Sequence, residues 1–267
     1  MAKTAPKLLS QNFLWNRELV RKLIRESSIS PGDHVLEIGA GKGIITEQLL
    51  GVCQKVTAVE ADRKLFSALR RTFSASLNLS LHTGDFLDRP LPESAPFKVF
   101  SNIPFSITGE VVKKLLFSQN PPVDSYLVVQ KEAAEKFVPT DRQNSMLAVL
   151  FFPWFEISIV HKFKREDFQP RPRVDSCLIK ATKRKTPLVK LPSQSLFRDY
   201  VVYYFTRDRS ATSLSPNEWL SRFGAFVVNR DHRVSNKIGG SFDKWQAEER
   251  KLTKIHRTRV DKNWKIL

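Results

Sequence analysis

A short apolar strand, Val35-Leu-Glu-Ile38, runs directly into Gly39-Ala-Gly-Lys-Gly43, and the chain then reads as a helix through Leu50. That junction constrains the fold more than any other feature of the 267 residues. Glycines at a strand-to-helix turn let the backbone approach a ligand, and the first N–H groups of the helix point toward it. A second strand, Lys55–Glu60, and a second helix, Asp62–Phe73, follow at once. Strand–helix–strand units of this length build a parallel sheet with helices on both faces. The alternation continues with strands expected at Leu79–His82, Lys98–Ser101 and Tyr126–Val129 and helices at Thr108–Ser118 and Lys131–Val138. Phe155–Val160 and Ser176–Ala181 read as a closing pair of strands, and Glu18–Arg25 as an amphipathic helix ahead of the first strand. In such sheets ligands bind beyond the carboxyl ends of the strands, so the motifs are best read there.

From about Lys183 the alternation stops. The expected organisation is an α/β domain over residues 1–182 and a smaller, mainly helical domain over 183–267, with helical pieces at Leu196–Phe205 and Glu218–Val228. The charge is divided the same way. The whole chain carries 44 Lys+Arg against 27 Asp+Glu, net +17. Residues 181–267 hold 19 basic and 8 acidic residues, net +11, whereas residues 1–180 hold 25 and 19, net +6. A surplus concentrated in the C-terminal third points to a polyanionic partner, nucleic acid before membrane, with a merely solubilising surface as the alternative. An apolar fraction of 41% excludes wholesale disorder. Two cysteines, Cys53 and Cys177, exclude a disulfide framework or a Cys-rich zinc site and suit buried, reduced thiols. The longest charge-free apolar stretch, Met146–Phe155, is about half the ~20 residues that cross a bilayer. With no apolar leader at the start, the expectation is a soluble cytoplasmic protein that uses no metal.

Four strand ends carry chemistry. Gly39-Ala-Gly-Lys-Gly43 is G-x-G-x-G rather than the dinucleotide spacing G-x-G-x-x-G, and alone it is also compatible with a structural turn. Glu60, about twenty residues on at the end of the second strand, is placed to accept from ribose hydroxyls; Asp62 beside it reads as the acid of a helix N-terminus. Gly84-Asp85-Phe86 follows the third strand and could present a carboxylate to an exocyclic adenine amine. Ser101-Asn102-Ile103-Pro104-Phe105 follows the fourth strand and contains no charge. The amino group of a planar base is a poor nucleophile because its lone pair is delocalised into the ring. Acceptors that hold its two N–H groups favour the pyramidal, nucleophilic form; Asn102 Oδ1 and a backbone carbonyl can serve, with Phe105 stacked on the base. Standing alone, the segment would read as an Asn-x-Pro turn with a core Phe.

In order along the chain, these segments resemble the motifs of the S-adenosylmethionine-dependent rRNA adenine-N6 methyltransferases. The likeness runs from about Leu9 to Ala181 and includes Ser10-Gln-Asn-Phe-Leu14 before the glycine turn and Phe168-Gln-Pro-Arg-Pro-Arg-Val-Asp-Ser176 near the end. The resemblance implies a Rossmann-like methyltransferase fold with a mostly parallel seven-stranded sheet; the segment after Lys183 matches none of the family's motifs, and its basic surplus makes that small helical domain the candidate RNA-binding part. The resemblance also implies roles. Asn12 and Leu14 would close over the cofactor, Gly39 and Gly41 would lie against it, Glu60 would take its ribose and Asp85 its adenine. Asn102 would bridge the cofactor and the target amine, with the Ile103 carbonyl as second acceptor and Pro104 fixing the backbone. Phe105 would stack on a flipped adenine, and Phe168 would form the opposite wall unless it is simply a core aromatic. Lys3, Lys7, Arg17, Arg21, Lys22, Lys113, Lys114, Arg171 and Arg173 are candidate phosphate contacts.

Within the family, Ser10 and the Ile of Asn102-Ile-Pro resemble the branch that methylates 23S rRNA and confers macrolide–lincosamide–streptogramin resistance. The housekeeping branch, which dimethylates small-subunit rRNA, more often reads Gly-Gln and Asn-Leu-Pro-Tyr. Two rivals of other classes are a non-catalytic nucleic-acid-binding protein on the same fold, as in mitochondrial transcription factors, and a nicotinamide-dependent oxidoreductase. The intact Glu60, Asp85 and Asn102–Phe105 oppose the first, the glycine spacing the second. With no heptad and no large apolar stripe, a monomer is the default expectation.

Overall fold

The computed structural model describes residues 12–93, 96–229 and 236–258. Ser10, Gln11, Lys3 and Lys7 lie outside the described residues. A two-residue strand, β1 (Phe13–Leu14), precedes α1 (Arg17–Arg25), β2 (His34–Ile38), α2 (Ile44–Leu50), β3 (Lys55–Glu60), α3 (Arg63–Thr72) and β4 (Leu79–Thr83). Next come β5 (Lys98–Asn102), α4 (Thr108–Leu116), β6 (Asp124–Gln130), α5 (Lys131–Ala134) and α6 (Met146–Phe151). The chain continues with β7 (Phe155–Lys162), β8 (Phe168–Gln169), β9 (Ser176–Lys183), α7 (Gln194–Phe205), α8 (Pro216–Val228) and α9 (Ser241–Thr258).

Seven strands form one sheet in the order β4-β3-β2-β5-β6-β9-β7, in which β9 alone runs against its neighbours. This is the mostly parallel sheet that the resemblance implied. The strand order reverses between β2 and β5, so their carboxyl ends flank the crevice where doubly wound sheets bind ligands. Local chemistry explains the elements. Asn16 caps α1 by accepting from Leu19 N, and Val20, Leu23 and Ile24 at helical spacing bury one face. They pack in one core with Ile45 and Leu49 of α2 and with Val35, Val56 and Ala58 of the sheet. Asp62 caps α3, accepting from Lys64 N and Leu65 N, which is the helix-terminus role read from its position. Asp124, buried at the start of β6, accepts from Ser28 Oγ at 2.5 Å and Thr182 Oγ1 at 2.6 Å. Both of its oxygens are thus hydrogen-bonded.

The helix expected over Lys131–Val138 is α-helical only to Ala134; beyond it the turns mix i→i+3 bonds, Lys136 N to Ala133 O and Phe137 N to Ala134 O, with one i→i+4 bond, Val138 N to Ala134 O. The chain also divides differently from a single cut at 182. One compact unit is Met1–Val138 with Phe155–Lys185, and the other is Pro139–Trp154 with Thr186–Leu267. The reason is packing within the second unit. Asn144, 3% exposed, accepts from Thr140 N and donates to Thr140 O and Leu214 O, and its N–H donates to Thr212 O. Trp154 meets Phe197 edge-on at 5.6 Å. Around them Phe197, Tyr200, Trp219 and Phe223 make an aromatic core, and Asp199 accepts from Gly240 N and Phe242 N at the start of α9.

Cys53 and Cys177 are buried, and desolvation pushes both thiols up to about 11, well away from a reactive thiolate. Among the described residues no helix is long and apolar enough to cross a membrane, and no cluster of His, Cys, Asp and Glu is arranged to hold a metal.

Candidate active site

β2 and β5 place the two central motifs side by side. Gly39 N donates to Val59 O at 2.8 Å, tying the glycine turn to the end of β3. Gly41 adopts φ +58, the left-handed region that side chains rarely enter, and a Cβ there would sit 2.8 Å from the Phe13 ring. β1 therefore lies directly on the turn, with Lys42 Nζ 5.1 Å from the centre of the same ring.

β1 is a strap with two fastenings. On one side Phe13 and Leu14 pair antiparallel with Gln169 and Phe168, and Trp15 donates from its N–H to Asp167 O and from Nε1 to Glu166 O. On the other side Asn102 Nδ2 donates to Asn12 O at 2.7 Å. A carbonyl can only accept, so the orientation of the Asn102 amide is fixed: nitrogen to the strap, Oδ1 free to accept.

Between strap, glycine turn and Asn102-Ile-Pro-Phe105 is a cavity of about 40 Å³, with Glu37 and Glu60 in its lining. Glu60, 2% exposed, accepts from Gly41 N through Oε2 and from Asp62 N through Oε1. Glu37 is 1% exposed and accepts from Thr46 Oγ1 at 2.6 Å. Burial, reinforced by the negative charge of Glu60, pushes its carboxyl up to about 8 against the pull of the Thr46 hydrogen bond. Glu37 thus holds its proton to a higher pH than an ordinary carboxylate does.

The structure brings together Asn12, Leu14, Gly39, Gly41, Glu60, Asn102, Ile103, Pro104 and Phe105, all in the lining of this cavity. It does not bring in Asp85 or Phe168. Asp85 is exposed and accepts from Leu87 N, capping its own turn. Phe168 is 2% exposed, pairs with Leu14 and meets Phe163 edge-on at 5.3 Å, so here it is a core aromatic that anchors the strap. Glu37, Phe13 and Lys42 were not singled out from the sequence; each stands within or beside a quoted motif, which was the signal available.

The candidate phosphate contacts divide. Arg17 pairs with Glu47, Arg21 with Glu18, and Lys22 with Glu26. Lys114 is spent on structure: its ammonium donates to Phe86 O, Leu87 O and Arg89 O. Lys114→Met should leave three carbonyls short of a donor and lower stability by about 1–3 kcal/mol, read as a urea midpoint with unchanged m. A midpoint equal to wild type would show that water replaces the ammonium without loss. Arg171 and Arg173 are exposed and carry no ion pair among the described residues.

The model of the family described as ribosomal RNA adenine dimethylase matches residues 2–240. The chain belongs to that family. It is 36% identical over 248 residues to a ribosomal RNA small subunit methyltransferase A of Prosthecochloris aestuarii, covering 87% of this chain and 93% of the relative. It is 32% identical over 199 residues to an rRNA adenine N-6-methyltransferase of Lysinibacillus sphaericus, covering 74% and 80%. Among solved structures it is similar to 23S rRNA methyltransferase ErmE, with a TM-score of 0.73 and 26% identity over 80% of this chain and 98% of that one. The family resemblance read from the motifs and the methyltransferase fold are both as expected, and the chain is an enzyme of the rRNA adenine methyltransferase family.

Proposed function

We propose that this member of the family transfers a methyl group from S-adenosylmethionine to N6 of an adenine in 23S rRNA, with macrolide–lincosamide–streptogramin resistance as the consequence in its host. The observation that carries the chemistry is the fixed Asn102 amide, whose Oδ1 is left as an acceptor at the carboxyl end of β5 beside the glycine turn.

The donor set fits the cofactor. Glu60 keeps lone pairs for ribose hydroxyls beyond its two backbone bonds, and glycine at 41, where a Cβ would meet the Phe13 ring, lets the strap lie on the turn. The cofactor would enter the cleft between the glycine turn, the strap and Asn102–Phe105, where Phe13 lies on Gly41 and must make room for it. When bound, the sulfonium cofactor supplies the electrophilic methyl group. Asn102 Oδ1 and Ile103 O accept the two N6 protons and favour the pyramidal amine, Phe105 stacks on the base, and Pro104 holds the two acceptors in register. In-line placement provides most of the acceleration, and the departing proton passes to water without a general base. A target within a stem must first be swung out of its stack.

The large-subunit assignment is supported by Ser10 and Ile103 and by the likeness to ErmE. The second reading, small-subunit rRNA, is favoured by the identity to the Prosthecochloris relative. Radiolabel transfer to naked 23S rRNA and to assembled small subunits, in separate reactions, decides between them. Label on one adenine of 23S rRNA is expected; label only on the small subunit moves the enzyme to the housekeeping branch. The helices of residues 186–258 are proposed to hold RNA backbone. Lys or Arg to Ala changes on α9, for example at Lys244 or Arg250, should reduce the salt slope of RNA binding by about one each. An unchanged slope would make that unit a structural cap.

A further inference from the structure

The strand order puts β5 on the far side of β2 from β4, so the link between them must run back along the sheet and cross β3 and β2. Such links are usually helical and cover the sheet. Here, among the described residues between Thr83 and Lys98, the regular structure is a single 3₁₀ turn, Phe86–Asp88. One face of the three strands is left under a loop. His34, Thr57 and His82 point to that face, as the registers His34↔Lys55, Leu36↔Thr57 and Val59↔His82 require.

Between this face and the loop Phe86–Pro92 is a recess of about 230 Å³. Its charged and titratable lining is of one sign: His34, His82, Lys55 and Arg89, with no carboxylate. Neither Lys55 nor Arg89 has an ion pair among the described residues. The shape is held, since Lys114 gathers the carbonyls of Phe86, Leu87 and Arg89. No lining residue is shared with the cavity at Asn102.

We propose that this recess is a phosphate-binding site, filled by a phosphate of the RNA backbone or by a free phosphate ion. Two fixed cations and two imidazoles around one space suit a tetrahedral oxyanion with donors needed on several sides; a planar carboxylate would be satisfied by one arginine fork. The imidazoles are the responsive part. Burial first, then Lys55, hold His34 below its ordinary pKa; burial, then Arg89 and Lys55, do the same for His82. An anion in the recess reverses the charge contribution, so both rings take up protons as it binds. His34 Nε2 already lies 2.8 Å from Thr57 Oγ1, which fixes one ring orientation. The proposal does not depend on which RNA is methylated, or on methylation itself.

The test is proton NMR of the full chain, whose five histidines give few enough signals to assign with His34→Gln and His82→Gln. Inorganic phosphate is titrated at constant ionic strength, and His161, outside the recess, serves as control. The expected result is a rise of about one pH unit in the midpoints of His34 and His82, with His161 unmoved. A Lys55→Ala/Arg89→Ala variant should lose about tenfold or more in phosphate affinity. If the natural source is RNA, that variant also lowers the salt slope of rRNA binding by about one to two. If it is free phosphate, the slope is unchanged while the phosphate response is lost. Histidine midpoints indifferent to both phosphate and RNA, or a variant that responds like wild type, would overturn the proposal.

Discussion

Asn102→Ala should lower the maximal rate of methyl transfer by about a thousandfold while cofactor binding is weakened but still measurable. Alanine removes two functions at once: the Oδ1 acceptor for the target amine and the Nδ2 donor that holds Asn12 O. Asn102→Asp separates them. Aspartate keeps an acceptor oxygen in place but, ionised, puts a negative oxygen against the Asn12 carbonyl, so the strap is released. Its activity is expected to be low at neutral pH and to recover in part as the solution is made acidic, because a protonated carboxyl can donate to Asn12 O again. Wild type should show no matching rise. Single-turnover rates across the pH range would check this; an Asp variant equal to wild type at neutral pH would remove the orienting role from the strap.

Glu37→Gln should stabilise the protein at alkaline pH. The direction follows from linkage. In the unfolded chain the carboxyl has its ordinary value of 4.5, while in the fold it is pushed up to about 8, chiefly by burial. Between those two values the folded state holds a proton that the unfolded state has lost. Stability contributed by Glu37 is therefore present below 4.5 and falls through the window up to about 8, by at most about 1.4 kcal/mol per pH unit. Glutamine is neutral throughout and can still accept from Thr46 Oγ1. Urea midpoints at pH 5 should be close for the two proteins, and at pH 9 the variant should be the more stable by several kcal/mol. Parallel curves over that range would mean that Glu37 is ionised and solvated in the fold.

The parallel sheet was legible because its central strands are apolar and are followed by a helix or a turn residue with a local signature. Lys55–Glu60 matches the strand residue for residue, and Asp62, expected from its position to be the acid of a helix N-terminus, caps that helix. What escaped was long-range and short. β1 and β8 are two residues each, separated by more than 150 positions, and a two-residue strand has no periodicity to detect. The bond from Asn102 to Asn12 O uses a backbone acceptor, which carries no side-chain signature. Asp85 and Phe168 were placed at the site by resemblance. In the structure Asp85 meets its own turn, and Phe168 meets Leu14 and Phe163, contacts that position in a motif does not encode. α6 was hidden for another reason: six residues apolar on every side look like a buried strand as much as a helix.

The inserted segment Pro139–Trp154 bears on how relatives of this enzyme can exchange parts. A chimaera made with one junction after Lys185 would replace Thr212, Leu214 and Phe197 while keeping Asn144 and Trp154, which bond to and pack against them. The graft would meet a foreign helix and strand the amide of Asn144 among mismatched carbonyls. Three junctions, near Val138, Trp154 and Lys185, move the unit whole. Recombination in nature faces the same geometry: a single crossover after Lys185 splits this unit, and one near Val138 keeps it whole only by carrying Phe155–Lys185 of the other unit with it.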